Sequence, residues 1–166
     1  MKTSLIAMMT IFMFFVIPFC STAAEVEGVT IIEYGIFKAK ELRQENTPAT
    51  ATGTSNIVTD VELVQRTDNI PAIAGTRFGF RCIIKGSPQG QEVKIVRRNI
   101  LPGLRNPKTG NIFYTEEYER TQRIGKEFYI GYKFEENWEL IPGKWTFQLF
   151  YGGRKLAEKT FNVYKP

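Results

Sequence analysis

From Ile124 to Tyr164 large apolar residues fall on alternate positions, and this alternation constrains the chain more than any other feature of it. Phe128, Ile130, Tyr132 and Phe134 share one face of an extended segment. Trp145, Phe147, Leu149 and Tyr151 share one face of the next, with Pro142-Gly143 between the two and Gly152-Gly153 after them. Successive side chains of a strand point to opposite faces, so a period of two sends every large residue inward. Bounded by turn residues, that period predicts half-buried antiparallel strands.

The pattern extends upstream. Val26 to Phe37 reads as a first strand punctuated by Gly28 and Gly35, followed by a possible short helix over Phe37 to Gln44. Ile57, Thr59, Val61 and Leu63 mark a second strand. Thr76, Phe78, Phe80, Cys82 and Ile84 share a face of another, and Val93 to Ile100 follows. Asn111 to Ile124 is a long polar strand or strand pair holding Tyr114 and Tyr118. In the last strand Leu156 has the opposite parity to Phe161 and Val163, which calls for a β-bulge near Glu158 to Thr160. Glu45 to Asn56 is small and polar, the composition of a flexible loop. Asp68 to Pro71 reads as a turn, and the Pro- and Gly-rich run Leu101 to Gly110 as a corner between two sheets. Seven or eight strands at this spacing predict an immunoglobulin-like antiparallel β-sandwich.

Residues 1–24 read as a signal peptide. Lys2 supplies a positive start, Leu5 to Phe19 an apolar stretch too short for a comfortable membrane span, and Ala23-Ala24 a small-residue cleavage site. Residues 25–166 then form one domain, exported to the periplasm or secreted, with no membrane span after processing. Cleavage removes Cys20 and leaves Cys82 alone, so no internal disulfide is available. Between Phe80 and Ile84, Cys82 reads as a small buried hydrophobe.

The chain has 22 Lys+Arg, 17 Asp+Glu and no histidine. Lys2 is the only charge in the leader, so the mature domain carries 21 against 17, scattered along its length. That is a solubility-scale charge and argues against nucleic acid. Without histidine there is no usual general base at neutral pH and no Ser-His or Cys-His dyad. A single thiol excludes thiolate metal sites. No catalytic residue, metal site or cofactor is therefore assigned. A hydrolase would have to run on carboxylates, of which Glu116, Glu117 and Glu119 form one exposed-looking cluster and Glu135, Glu136 and Glu139 another. Binding candidates are the cations Arg105 and Lys108 of the Pro/Gly-rich run, Tyr114 and Tyr118 of the polar strand, and Trp138 among acidic loop residues.

Leu101-Pro102-Gly103-Leu104-Arg105-Asn106-Pro107-Lys108-Thr109-Gly110, Gly131-Tyr132-Lys133-Phe134 and Glu139-Leu140-Ile141-Pro142-Gly143-Lys144-Trp145-Thr146-Phe147 occur in that order. With Tyr34-Gly35-Ile36 and Phe78-Gly79-Phe80 they resemble the bacterial domain-of-unknown-function family numbered three-eight-five-nine. The resemblance implies a small exported β domain and transfers no catalytic residue. The expected function is a non-catalytic binding module for an envelope protein or a cell-surface glycan. The alternatives are a carboxylate-based glycan-active enzyme, favoured by a deep cleft with two facing glutamates, and a chaperone-like protein acting through a sheet edge.

Overall fold

Phe78 sits fully buried among four other aromatic rings. Its centroid lies 5.2 Å from Phe134, 5.7 Å from Trp145, 5.6 Å from Phe147 and 5.5 Å from Phe161. These rings come from both halves of a β-sandwich. The computed structural model describes residues 23–166, and the predicted leader lies outside them apart from Ala23 and Ala24. Among the described residues no helix is long and apolar enough to cross a membrane.

Nine strands form two sheets. The first sheet contains β1 (Glu25–Asn46), β2 (Thr54–Gln65), β4 (Arg77–Ser87) and β7 (Glu127–Lys133) in the order β2-β1-β4-β7. The second contains β3 (Asn69–Pro71), β5 (Glu92–Arg105), β6 (Ile112–Arg123), β8 (Gly143–Tyr151) and β9 (Arg154–Tyr164) in the order β3-β9-β8-β5-β6. A single 3-10 turn, Asn137–Glu139, links β7 to β8. The expected sandwich is present, with more strands than the seven or eight predicted. Asp68 to Pro71, taken for a turn, supplies the short β3, which pairs with β9 in parallel rather than antiparallel fashion.

Cys82 faces the core as its parity requires, and burial pushes its thiol up to about 12. The thiolate is the reactive form. Native protein is therefore expected to resist a thiol reagent that labels the urea-unfolded chain within minutes. Rapid labelling of the native state would place Cys82 at the surface.

Three departures from the sequence reading build the functional region. The first is that β1 does not stop at Phe37 or turn helical. Lys38 to Asn46 stays extended because β2 pairs with it, from Ile36 opposite Gln65 to Asn46 opposite Thr54, and partner hydrogen bonds override a local preference for helix. β4 pairs with β1 only as far as Phe37, so the rest of the β1–β2 hairpin projects beyond the sheet as an arm. The second is that residues 47–53 form a compact tip. Thr47 N–H donates to Gly53 O at 2.8 Å and Thr50 N–H to Thr47 O at 3.0 Å, while Thr47, Thr50 and Ala51 are buried. The third is that Leu101 to Gly110 makes no corner between sheets. It is a bulge at Leu101–Gly103 followed by a tight turn within the β5–β6 hairpin, in which Asn106 Oδ1 accepts from the N–H of Lys108 and of Thr109. The bulge in β9 exists, but at Leu156, two residues before the expected place.

Glycines 35, 79 and 131 lie opposite one another across β1, β4 and β7. A Cβ on Gly79 would stand 2.0 Å from Ile130 O, and one on Gly131 would stand 2.0 Å from Tyr129 Oη. The bare Gly131 leaves room for Tyr129, whose hydroxyl donates to Phe78 O at 2.8 Å and whose edge meets Phe37 at 5.1 Å.

Candidate functional site

The β5–β6 ladder sets Asn99 opposite Glu116, Arg97 opposite Tyr118 and Ile95 opposite Arg120. On β5 the parity that carries Val93 and Ile95 into the core also carries Arg97 and Asn99. On β6 it carries Glu116, Tyr118, Arg120 and Gln122. The inward face of this margin of the sandwich is thus polar where the rest is apolar, and a cleft of about 850 Å3 opens there. Its lining includes these side chains, Tyr132 of β7, Glu139 of the 3-10 turn and much of the β1–β2 arm.

The arm tip is fastened to the second sheet through backbone atoms. Ala51 N–H donates to Glu116 Oε1 at 2.7 Å, and Ala51 O accepts from Asn106 Nδ2 at 2.7 Å. Arg120 hydrogen-bonds Ser55 and Thr47 and lies 3.6 Å from Glu45. A second set of contacts holds the arm to the first sheet. Glu41 accepts from Arg77 and from Lys133, each at 2.7 Å, and Asn56 Nδ2 donates to Glu135 Oε1 at 2.7 Å.

Glu116 and Glu139, read from sequence as exposed charges, are 1% and 0% exposed. The parity of β6 explains Glu116. Glu139 is buried because it turns back on its own loop, where Oε2 accepts the N–H of Glu135 at 2.7 Å and of Glu136 at 3.2 Å. Burial raises the pKa of both carboxyls, against the lowering effect of their hydrogen bonds. Glu116 is satisfied on both oxygens, by Ala51 N–H and by Asn99 Nδ2 at 2.9 Å.

Other groups in the cleft are not satisfied. Among the described residues seven buried side-chain polar atoms make no hydrogen bond, and five of them belong to residues lining this cleft. One, Arg81 Nε, lies 3.6 Å from Glu127 Oε2 and is compensated by charge. Arg97 Nε, Asn99 Oδ1, Tyr132 Oη and Glu139 Oε1 are left, each with almost no accessible surface of its own, two of them donors and three able to accept. The Tyr132 hydroxyl faces the Glu139 carboxyl, too loosely for a well-formed hydrogen bond but closely enough to interact: burial raises the Tyr132 pKa well above its ordinary value, and the Glu139 carboxylate adds to the rise, so the phenol stays protonated. Arg97 makes no ion pair among the described residues. Its guanidinium lies 5.3 Å from the centre of the Tyr118 ring, and Arg120 lies 4.8 Å from the same ring.

Of the binding candidates named from sequence, Tyr118 lines this cleft. Lys108 and Trp138 come together in a smaller one of about 360 Å3, with Asn106, Pro107 and Gln44. Trp138 is half-buried and packed on the core, not free in a loop as expected. Arg105 donates to Gly110 O within its own turn, and Tyr114, 63% exposed, lies over Gly103; neither lines either cleft. Sequence reasoning missed Asn99 and Tyr132. Asn99 is a polar residue on the parity of Val93 and Ile95, which is the signal that would have found it. Tyr132 carried no such signal, since it lies on the apolar parity of Phe128 and Ile130.

The fold and part of the sequence recur elsewhere. The crystal structure of an immunoglobulin-like protein from Pseudomonas aeruginosa superposes with a TM-score of 0.57 at 26% identity, over 87% of this chain and 99% of that one. No curated protein matches the chain. Residues 25–163 match the model of a domain of unknown function, DUF3859, a match that runs from the start of β1 to the penultimate residue of β9. The chain belongs to the DUF3859 family.

Proposed function

We propose that the protein is a non-catalytic binding module whose polar cleft takes a hydroxyl-rich ligand, an envelope glycan, outside the cytoplasm. The reading rests on one observation: the cleft is lined by a mixed set of polar side chains, Arg97, Asn99, Tyr132 and Glu139, each with an atom that makes no well-formed hydrogen bond. A buried polar group without a partner costs about 1–3 kcal/mol, which a small movement of these side chains toward a ligand would recover. Donors and acceptors are mixed, which suits hydroxyl groups that both give and accept. Charge decides against an anion. Six cationic and six acidic side chains line the cleft, and most of the cations are already paired. Tyr118 and Tyr132 add the aromatic surface that sugar rings use. Export follows from the leader pattern, and the mass of the protein recovered from the envelope fraction should begin at Ala24 or Glu25.

Tyr132→Phe tests the site. It removes the hydroxyl that faces Glu139 and keeps the ring, so it should leave thermal stability little changed. Titration with soluble envelope oligosaccharides should show affinity lowered about three- to tenfold, one hydrogen bond's worth. Unchanged affinity alongside unchanged stability would remove Tyr132, and with it the core of this reading.

Two buried glutamates in one cleft favour a second reading, glycan hydrolysis. Glycoside cleavage needs two working carboxyl groups. Here both oxygens of Glu116 are taken by protein donors, and Glu139 accepts two backbone N–H groups while Tyr132 faces its carboxyl, which is why binding is preferred. Release of reducing ends from the same oligosaccharides, lost in Glu139→Gln, would reverse that preference.

A further inference from the structure

The two clefts share a wall. Thr52, Thr54, Glu135 and Glu139 line both of them. The first two belong to the arm tip and its exit into β2, the last two to the β7–β8 connection, and Asn56 Nδ2 bridges the two elements through Glu135. The clefts therefore meet at the arm tip, the start of β2 and the β7–β8 connection. Their chemistries differ. The larger offers the mixed polar side chains of Arg97, Asn99 and Tyr132. The smaller offers the half-buried indole of Trp138 beside Pro107, with Lys108 and Asn106 at its side. At about 850 Å3 and 360 Å3, each falls within the roughly 300–1,000 Å3 of small-molecule sites.

Resting on the binding reading above, we propose that the ligand is an extended oligosaccharide that occupies both clefts, one end hydrogen-bonded among Arg97, Asn99 and Tyr132 and a further ring stacked on Trp138. A single sugar fills only the polar end and leaves the indole untouched. A longer chain covers the indole and adds the burial of apolar ring faces to the hydrogen bonds of the first site, with Lys108 at the rim placed to meet ring hydroxyls. Polar groups then select the end of the chain, and the tryptophan measures its length.

The test uses the whole mature protein and ladders of gluco-, chito- and manno-oligosaccharides from monosaccharide to hexasaccharide. Affinity is read by calorimetry and indole emission by fluorescence. Trp145 is fully buried with its Nε1–H donating to Ile141 O, so it supplies a constant background and Trp138 the signal. We expect affinity to rise about tenfold from the shortest to the longer members of the ladder that binds, with an emission change only for the longer ones. Trp138→Ala should bring every length down to the affinity of the shortest. Because Trp138 also packs on the core, its variant is checked by thermal melting, and Lys108→Ala, at the rim, should weaken only the longer ligands. Binding that does not vary with length overturns the extended-chain proposal and leaves the polar cleft standing. Equal weakening of short and long ligands by Trp138→Ala overturns it as well. Failure of every ladder to bind overturns both this proposal and the reading beneath it.

Discussion

Replacing Trp145 with alanine is expected to cost roughly 3–5 kcal/mol, the range for truncating a large core side chain and a major share of the 5–15 kcal/mol that holds a domain together. The indole is fully buried. It touches Phe78, Phe134 and Tyr132, with centroids 5.7 Å, 5.3 Å and 5.0 Å away. Two of these rings stand at 80° to it, the edge-to-face arrangement that the ring quadrupoles favour. Phe78 and Tyr132 belong to the first sheet and Phe134 follows directly on β7, while Trp145 belongs to the second sheet, so the truncation opens a cavity at the seam between sheets and also leaves Ile141 O without its donor. Trp138→Ala removes an indole that is only half-buried and should cost clearly less. Urea unfolding followed by far-ultraviolet circular dichroism measures both, and equal losses would mean that Trp138 carries as much of the core as Trp145.

Glu116 is the second position with a large expected effect, and there the substitution chosen decides the sign. Glu116→Ala abandons two buried donors, the N–H of Ala51 and Nδ2 of Asn99, at roughly 2–4 kcal/mol for the pair. The first is the bond that fastens the arm tip, so loss of hydrogen-exchange protection at Ala51 should accompany the fall in stability. Glu116→Gln keeps an oxygen for Ala51. Its amino group meets Asn99, whose Oδ1 has no partner and can turn to accept it, so one orphaned atom of Asn99 replaces the other. This variant should cost little at neutral pH, because it also removes a buried charge.

The pH dependence follows from the same burial. Desolvation raises the Glu116 pKa above its ordinary 4.5, so its ionised form is penalised in the folded state. Its contribution to stability is fully present below that ordinary value and is lost as pH rises through the raised one. Wild type should therefore gain on Glu116→Gln as the solution is acidified from neutrality. Glu139 has the same sign and is common to both proteins. Glu41, lowered mainly by its hydrogen bond to Lys133, has the opposite sign, but its side chain is 40% exposed and the effect is screened. Stability curves that stay parallel between neutral pH and pH 4 would show that Glu116 does not titrate differently in the folded state.

Strand parity was legible because burial on one face writes it into the sequence. Phe78, Phe80, Cys82 and Ile84 are all fully buried as their alternation demands, and so are Trp145, Phe147 and Leu149. Three of the segments that carry the family resemblance hold Gly35, Gly79 and Gly131, which the strands set opposite one another. What was not legible depends on partners far away in sequence. Lys38 to Asn46 has the composition of a helix and becomes a strand only because β2 lies beside it. The Thr- and Ala-rich tip reads as loose and is pinned because a carboxylate 65 residues away accepts its N–H. Glu116 and Glu139 read as surface charge, since a sequence shows the cost of burying a carboxylate but not the donors that offset it. Lys108 and Trp138 were singled out separately, and only the folded chain brings them together.

The shortest strand has a consequence for how copies of this protein meet. An open sheet margin offers a row of free N–H and C=O groups to any other strand, which is how β proteins polymerise. The second sheet would otherwise end in β9, eleven residues long. β3 caps one end of that margin, pairing with Asn162 to Tyr164 through three residues, the last of them Pro71, which has no N–H to give. A neighbouring molecule arriving at this end of the margin finds a three-residue strand that offers almost nothing to extend. The residues that read as a turn thus act as a stopper there, closing the last stretch of β9 to a strand from another copy.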